Sequence, residues 1–216
     1  LADEHDFIIA SDECYSELYL DEAAPPPGLL QACAALGRHD YRRCLVFHSL
    51  SKRSNLPGLR SGFVAGDAEL IAPFKRYRTY HGCAMALPVQ RASITAWHDE
   101  AHVRANRDAY REKFAAVTDI LAPVMAFPVP EASFYLWPAV PGGDDEAFTR
   151  ALFAEEHVSV LPGSYMGRPA ADDGMGRSGA EGTNPGAGRI RLALVAEVAP
   201  TLEAARRLRR FIERRL

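Results

Sequence analysis

The sequence predicts an α/β fold in which a large mixed sheet is followed by a smaller C-terminal α+β domain. In the first hundred residues, short apolar runs that suit buried strands surround a helical pattern, an order typical of a doubly wound sheet. A long helical pattern at residues 87–121 follows, and strands and helices are mixed after it. We therefore expect two domains, at residues 1–100 and 101–216.

Three short strands and one helix are predicted in the first domain. The apolar runs FIIA (Phe7–Ala10), CLVF (Cys44–Phe47) and GFVAG (Gly62–Gly66) indicate strands, and we expect the first to be buried on both faces. The segment PPPGLLQACAALG begins with prolines and stops at Gly37. These signals predict a helix over Leu29–Leu36.

Across the predicted domain boundary, the pattern predicts one continuous helix from Leu87 to Leu121. ASFYLW, VSVLPG and RIRLALVA then indicate strands, and DDEAFTRALFAEEH indicates a helix. The chain ends on an amphipathic helix whose six arginines between Arg206 and Arg215 predict a solvated basic face. Residues 168–188 are rich in Gly, Ala and Asp without periodicity, which predicts a mobile surface loop.

Charge, hydropathy and cysteine content limit the classes of function. A net charge of −3 and a pI near 6.2 argue against nucleic-acid and membrane partners. No apolar run reaches the ~18 residues that span a bilayer, and no signal peptide is visible, so we expect a cytoplasmic protein. The scattered Cys14, Cys33, Cys44 and Cys83 favour reduced thiols and predict no metal site.

Polar residues follow two of the predicted strands where each strand ends. Asp12 comes after the first and Lys52 after the second, and such strand ends face one crevice in an open α/β sheet. Arg60 precedes the third strand, which would return it to the same rim if that strand is antiparallel. A lysine, a carboxylate, serine hydroxyls and an arginine suit a cofactor with an aldehyde, a ring nitrogen and a phosphate, as in pyridoxal 5′-phosphate.

Three segments resemble motifs of the fold-type-I, class I/II aminotransferases: SDECY, SLSKRSNLPGLRSGF and RIRLAL. The resemblance covers essentially the whole chain but only the later half of that family's fold. Within the family, HSLSKRSNLPGLRSGFVAGD, YRTYHGCAM and VLPGSY look most like the bacterial N-succinyl-diaminopimelate aminotransferases.

The resemblance implies a role for each matching residue. Lys52 would form the Schiff base with the cofactor and move a proton during transamination. Asp12 would pair with the protonated pyridine nitrogen, and Tyr15 would hydrogen-bond the phenolic oxygen of the ring. The phosphate would be bound by Ser49, Ser51 and Arg60. The substrate carboxylate would be bound by Arg191 rather than by its neighbour Arg189.

Structural interpretations of these and nearby residues stay open at this point. Asp12 would also serve as a turn residue or helix N-cap, Tyr15 as a packing residue and Arg60 as one partner of an ion pair. Other candidates are Tyr80 and His81, for a wall of the active site in this subunit or in a neighbouring one, and Arg168, for the substrate. His48 is interpreted as structural.

The resemblance predicts an aminotransferase that moves an amino group between glutamate and a 2-oxo acid, and specifically succinyl-diaminopimelate transamination in lysine biosynthesis by a homodimer. Three alternatives remain: a C–S lyase or another amino-acid aminotransferase, a non-catalytic sensor domain of a transcription regulator that binds the cofactor, and a cofactor-free remnant. The family's earlier half supplies a Gly/Ser-rich phosphate turn, a stacking aromatic ring and an asparagine. None of these is found here, so we expect sequence upstream of Leu1.

Overall fold

The computed structural model of the chain describes residues 1–82, 84–169 and 184–215. Cys83 and most of the predicted loop at residues 168–188 lie outside the described residues. The chain divides into two compact units, one formed by Leu1–Asp108 with Glu131–Ser133 and the other by Ala109–Pro130 with Phe134–Leu216. None of the described helices is both long enough and apolar enough to cross a membrane.

The first unit is built on a mixed three-stranded sheet. Its strands are β1 (Ile9–Asp12), β2 (Cys44–Ser49) and β3 (Gly62–Gly66), in the order β1-β2-β3. Strand β1 runs parallel to β2, with Asp12 opposite Phe47, and β3 runs antiparallel to β2. The sequence left the direction of the third strand open, and the structure meets the condition under which Arg60 returns to the rim of the sheet.

Strand β1 begins two residues later than predicted and is not buried on both faces. Phe7 and Ile8 precede it and are 44% and 52% exposed. Pairing starts only where the N–H of Ile9 donates to the carbonyl of Arg43 at 2.8 Å. Within the described sheet β1 is an edge strand, and its residues alternate between half-buried and exposed. The run FIIA thus indicates the strand correctly but places its first and last residues two positions too early.

Six helices begin in the first unit. The predicted helix at residues 29–36 is confirmed as α2, and Gly37 follows it with a φ of 73°. The helices are α1 (Ala2–His5), α2 (Leu29–Ala35), α3 (Leu50–Arg53), α4 (Ala68–Tyr80), α5 (Leu87–His98) and α6 (Ala101–Leu121).

The single long helix predicted from Leu87 to Leu121 is wrong. The helix is interrupted between α5 and α6, where Asp99 accepts a hydrogen bond from the N–H of Ala101 at 2.8 Å. This side chain starts a new helix in the manner of an N-cap. Helix α4 was not predicted, although Asp67 caps it by accepting from the N–H of Glu69 at 2.8 Å.

Among its described residues, the second unit combines three short antiparallel strands with two further helices. Strand β6 (Ile190–Ala193) lies between β4 (Tyr135–Leu136) and β5 (Leu161–Pro162). Helices α7 (Asp145–Glu156) and α8 (Val198–Glu213) confirm the two predicted helices, whereas all three strands are shorter than the runs that indicated them. The core includes the fully buried Phe114, Leu121, Leu136, Leu152, Ile190, Phe211 and Ile212.

The arginines of the last helix are largely paired with carboxylates. Arg207 and Arg209 bind Glu203 and Glu213 one turn away, at 3.0 and 2.7 Å. Beyond α8, Arg214 reaches Glu156 at the end of α7. The predicted basic face is therefore substantially neutralised by these ion pairs.

Candidate active site

Lys52 lies on α3, a helix of four residues that follows β2 without a connecting loop. The side chain of Ser49 caps this helix by accepting a hydrogen bond from the N–H of Ser51 at 3.3 Å. Leu50 is fully buried beneath the helix, and its N–H donates to the carbonyl of Ser61 at 3.1 Å. The strand and the apolar anchor together hold the half-buried Lys52 at the carboxyl end of the sheet.

A pocket of about 350 Å³ opens beside Lys52. Four residues predicted for the site, Ser49, Ser51, Lys52 and Arg60, contribute to its wall. Asp12 and Tyr15 are not among the lining residues. The complete lining consists of Cys14, Ser49, Ser51, Lys52, Arg60, Ser61 and Gly62.

Asp12 is linked to the pocket wall through Cys14. Its Oδ1 atom accepts a hydrogen bond from the N–H of Cys14 at 3.1 Å. The thiol and the N–H of Cys14 both stabilise the ionised form and lower the pKa of the Asp12 carboxyl below its ordinary value. Asp12 is exposed, so a carboxylate is presented at the end of β1.

Tyr15 lies next to the catalytic candidate Lys52. The amine Nζ of Lys52 is 5.8 Å from the centre of the Tyr15 ring, within the range of a cation–π contact. Tyr15 is 40% exposed. The structure thus brings the ring and the amine together, as the sequence predicted for residues around one site.

Arg60 enters the pocket wall through a turn that reverses the chain. A short 3-10 helix at Pro57–Leu59 precedes it, and Arg60 takes a left-handed backbone conformation with φ of 52°. Its guanidinium donates to the carbonyl of Pro57 at 2.9 Å. Position 62 requires a glycine because the backbone passes close to β2 there. A Cβ atom on Gly62 would lie 2.6 Å from the carbonyl oxygen of His48.

Arg191 lies in the second compact unit, on β6. Its guanidinium stacks on the ring of Tyr135, 4.6 Å from the ring centre. Arg189 instead donates to the carbonyl of Trp137 at 3.1 Å. Both arginines are half-buried.

The remaining candidates have less defined surroundings. Tyr80 is 86% exposed and His81 is exposed, with the His81 ring against Tyr77 at 4.9 Å. Arg168 is exposed at the edge of the described residues. His48 is enclosed by the rings of Phe63 and Trp97, at 5.7 and 5.3 Å.

Sequence reasoning missed three residues of the pocket wall, namely Cys14, Ser61 and Gly62. Ser61 is buried and its hydroxyl oxygen accepts a hydrogen bond from Ser93 at 2.7 Å. The signal for Cys14 was its place between Asp12 and Tyr15 in SDECY. Among the residues that the structure describes, no cluster of three or more His, Cys, Asp and Glu is arranged to hold a metal ion.

These residues fit pyridoxal 5′-phosphate by the chemistry of their donors. Ser49, Ser51 and Arg60 offer hydroxyls and a cation for a phosphate, on the same wall as the primary amine of Lys52. The low pKa of Asp12 supplies a carboxylate that a protonated ring nitrogen can pair with.

Comparison with known proteins shows the family to which the chain belongs. The family described as aminotransferase class I and II matches residues 1–199. A probable aminotransferase of Mycobacterium tuberculosis is 35% identical over 74% of the chain and 37% of its own length. An LL-diaminopimelate aminotransferase of Nitratidesulfovibrio vulgaris is 32% identical over 94% of the chain and 48% of its own length.

Solved structures show the same similarity. An aminotransferase from Neisseria meningitidis superposes with a TM-score of 0.86 at 53% identity, covering 98% of this chain and 51% of that one. A probable N-succinyldiaminopimelate aminotransferase from Thermus thermophilus gives 0.74 at 28% identity, over 97% and 51%. The chain spans about half the length of these relatives, or less. It belongs to the class I and II aminotransferases, a fold-type-I α/β family whose members use pyridoxal 5′-phosphate.

Proposed function

We propose that the chain is the cofactor-binding and C-terminal part of an active pyridoxal-phosphate-dependent aminotransferase, acting between glutamate and a 2-oxo acid. The observation that carries this proposal is the pocket in which Lys52 shares a wall with Ser49, Ser51 and Arg60. An amine beside phosphate-binding groups suits a phosphorylated aldehyde. Family membership supports the reaction class.

Each residue contributes separately to this function. The hydroxyls of Ser49 and Ser51 and the guanidinium of Arg60 would bind the phosphate. Asp12 would orient the ring and keep its nitrogen protonated. When bound, the cofactor supplies an aldehyde that condenses with amines and a ring that withdraws electrons from the substrate α-carbon. Lys52 would then carry a proton at its Nζ to and from that carbon.

In this proposal the two compact units correspond to two domains of the enzyme. The region 1–100 would be the later part of the large cofactor-binding domain, and 101–216 the small domain. Arg191, on the small domain, would bind the substrate α-carboxylate through its planar fork. The protein would act as a homodimer, as the family resemblance implies.

For the substrate, we propose succinyl-diaminopimelate and a role in lysine biosynthesis. The relatives from Nitratidesulfovibrio vulgaris and Thermus thermophilus support this choice, because their names refer to diaminopimelate substrates. Product analysis tests it: glutamate with the 2-oxo form of succinyl-diaminopimelate should give 2-oxoglutarate and the amine. Ammonia and pyruvate from a cysteine conjugate would instead identify a C–S lyase.

The cofactor proposal has a direct chemical test. Borohydride reduction after addition of pyridoxal phosphate should leave a pyridoxyl group on Lys52, located by peptide mass spectrometry. Lys75 on α4 is exposed and serves as an internal control for non-specific labelling. A Lys52→Ala variant should lose the label. Equal labelling of Lys52 and Lys75, or none on Lys52, would contradict the proposal.

A further inference from the structure

Arg53, the residue next to Lys52, is buried and only 3% exposed. A charged side chain is rarely buried unless several partners compensate for its lost hydration. Helix α3, which carries both residues, has only four residues. So short a helix has little stability of its own, and tertiary contacts must set its position.

On one side, Arg53 contacts the end of α5 and the short segment that joins α5 to α6. Its Nη1 atom donates to the carbonyl of Ala96 at 2.9 Å, and its Nη2 atom pairs with the carboxylate of Glu100. The guanidinium also stacks on the ring of Trp97, 5.0 Å from the ring centre. The contacts to Ala96 and Trp97 attach the helix that carries Lys52 to α5, and the pair with Glu100 attaches it to the residue two positions beyond that helix.

On the other side, Arg53 faces the segment that carries Tyr15. Its Nε atom lies 3.9 Å from Oε1 of Glu17, two residues after Tyr15. The other oxygen of Glu17 accepts from the buried Arg107 at 3.1 Å, so this carboxylate is held from two directions. The segment after β1 is thereby linked to Arg53.

Trp97 joins this arrangement to the start of α3. The Trp97 ring contacts Arg53 on one hand and His48 on the other, at 5.0 and 5.3 Å. His48 precedes the cap residue Ser49. One indole ring therefore packs beside both ends of the short helix.

We propose that Arg53 is a positioning residue that holds the amine of Lys52 at its place beside the Tyr15 ring. Arg53 follows Lys52 directly in the chain. Its side chain contacts α5 at Ala96 and Trp97, the next segment at Glu100 and the Tyr15 segment at Glu17. Arg53 itself does not line the pocket. The inference rests on the proposed function, since the position of Lys52 matters for cofactor capture only if that function is right.

The test compares cofactor capture by the wild-type chain with that by Arg53→Met and Arg53→Lys. Each protein is incubated with pyridoxal phosphate, reduced with borohydride and analysed for pyridoxyl-Lys52. We expect Arg53→Met to need about tenfold more cofactor for half-maximal labelling, because small misplacements of reacting groups reduce reaction strongly. Arg53→Lys keeps the charge without the fork and should recover part of the loss. Arg76→Met, at an exposed position of α4, is the matched control.

Circular dichroism and thermal unfolding decide whether Arg53→Met is folded. If it is not, Arg53→Lys and Glu17→Gln provide the comparison, and both should weaken labelling without loss of fold. If a folded Arg53 variant labels like the wild type, with the same absorbance of the bound cofactor, the inference about Arg53 is overturned and the proposed function stands. Absence of label on wild-type Lys52 would overturn the proposed function and the inference together.

Discussion

The backbone N–H of Ser49 donates to Nδ1 of His48 at 2.8 Å, directly before the helix that carries Lys52. A nitrogen that accepts carries no proton, so the neutral ring holds its proton on Nε2, which lies 3.4 Å from the hydroxyl oxygen of Ser16. Burial lowers the pKa of His48, although the nearby carboxylate of Glu17 opposes this effect.

We expect this histidine to make the fold sensitive to acid. The ordinary pKa of 6.5 applies in the unfolded chain, whereas the folded pKa is lower, so protons bind the unfolded state preferentially below about pH 6.5. The free energy of unfolding should therefore be higher at pH 7.5 than at pH 5.5. In denaturant titrations, the difference in the free energy of unfolding between the two pH values should be smaller for His48→Gln than for the wild type. For the exposed His39→Gln this difference should be unchanged. An equal pH dependence of all three proteins would contradict this assignment.

Gly62 should be intolerant of any side chain. A Cβ atom would lie 2.6 Å from the His48 carbonyl oxygen, so Gly62→Ala must push β3 away from β2. We expect a loss of about 1–3 kcal/mol in the free energy of unfolding. Gly58→Ala is the matched control, since no atom lies within 4 Å of the added methyl group. Urea unfolding that shows the same stability for both variants would refute the steric argument.

The polar residues that follow the strands around Lys52 can be found by sequence reasoning because strand ends and turns are local signals. Two apolar runs, each followed by polar residues, place Asp12 and Lys52 at one edge once the strands are parallel. The Pro-Gly turn before Arg60 similarly indicates a reversal of the chain. Such features depend on neighbours within a few residues.

Features that depend on tertiary contacts were not predicted. Helix α4 contains Pro73, which in a sequence indicates the end or a break of a helix, and it buries no residue fully. The break at Asp99 was hidden because the apolar spacing continues across it. Arg53 reads as an ordinary basic residue after Lys52, and only the fold reveals its burial against Trp97.

Asp145 should make the second unit sensitive to strong acid. Its two carboxylate oxygens accept from the N–H groups of Ser164 at 2.8 Å and Gly188 at 3.0 Å. Burial raises the pKa of Asp145, but these hydrogen bonds together lower it below the ordinary 3.8. The stability they supply is present above pH 3.8 and is lost as pH falls through the folded pKa.

Substitution and pH can be combined to test this carboxylate. Asp145→Asn should cost about 1–3 kcal/mol at pH 7 and show a smaller loss of stability between pH 5 and pH 3 than the wild type. Asp119→Asn, at an exposed site on α6, should resemble the wild type at each pH. Denaturant titrations at the three pH values provide the measurement, and a full wild-type acid response in Asp145→Asn would refute the prediction.

Lys113 should be important for stability although it is remote from the pocket wall in sequence. It is 5% exposed, and its amine donates to the carbonyls of Leu194 at 2.6 Å and Ala196 at 3.1 Å, just beyond β6. Lys113→Met removes both donors and leaves carbonyls without these bonds, so we expect a loss of about 1–3 kcal/mol. Lys75→Met, on the exposed face of α4, should change stability by less than about 0.5 kcal/mol. Thermal and urea unfolding would reveal either outcome.

The two arginines on and beside β6 make different contacts. Arg189 uses an N–H group to bind the carbonyl of Trp137, which is a structural contact. Arg191 stacks its face on Tyr135, and stacking leaves the N–H edge of a guanidinium able to bind a carboxylate in two-pronged fashion. We therefore expect Arg191 to be the substrate-binding residue of the proposed transaminase.

Kinetics of the active enzyme should separate the pair. Arg191→Lys loses the planar fork, and kcat/KM for the amino donor should fall by about 100-fold, since hydrogen bonds to charged groups contribute about 1.5–3 kcal/mol. Arg189→Lys should change kcat/KM by only a few-fold while lowering the unfolding temperature. Because both variants keep a positive charge, a general electrostatic effect on the anionic substrate would act equally on them. The reverse ranking would assign the carboxylate to Arg189, and equal losses would indicate a structural role for both.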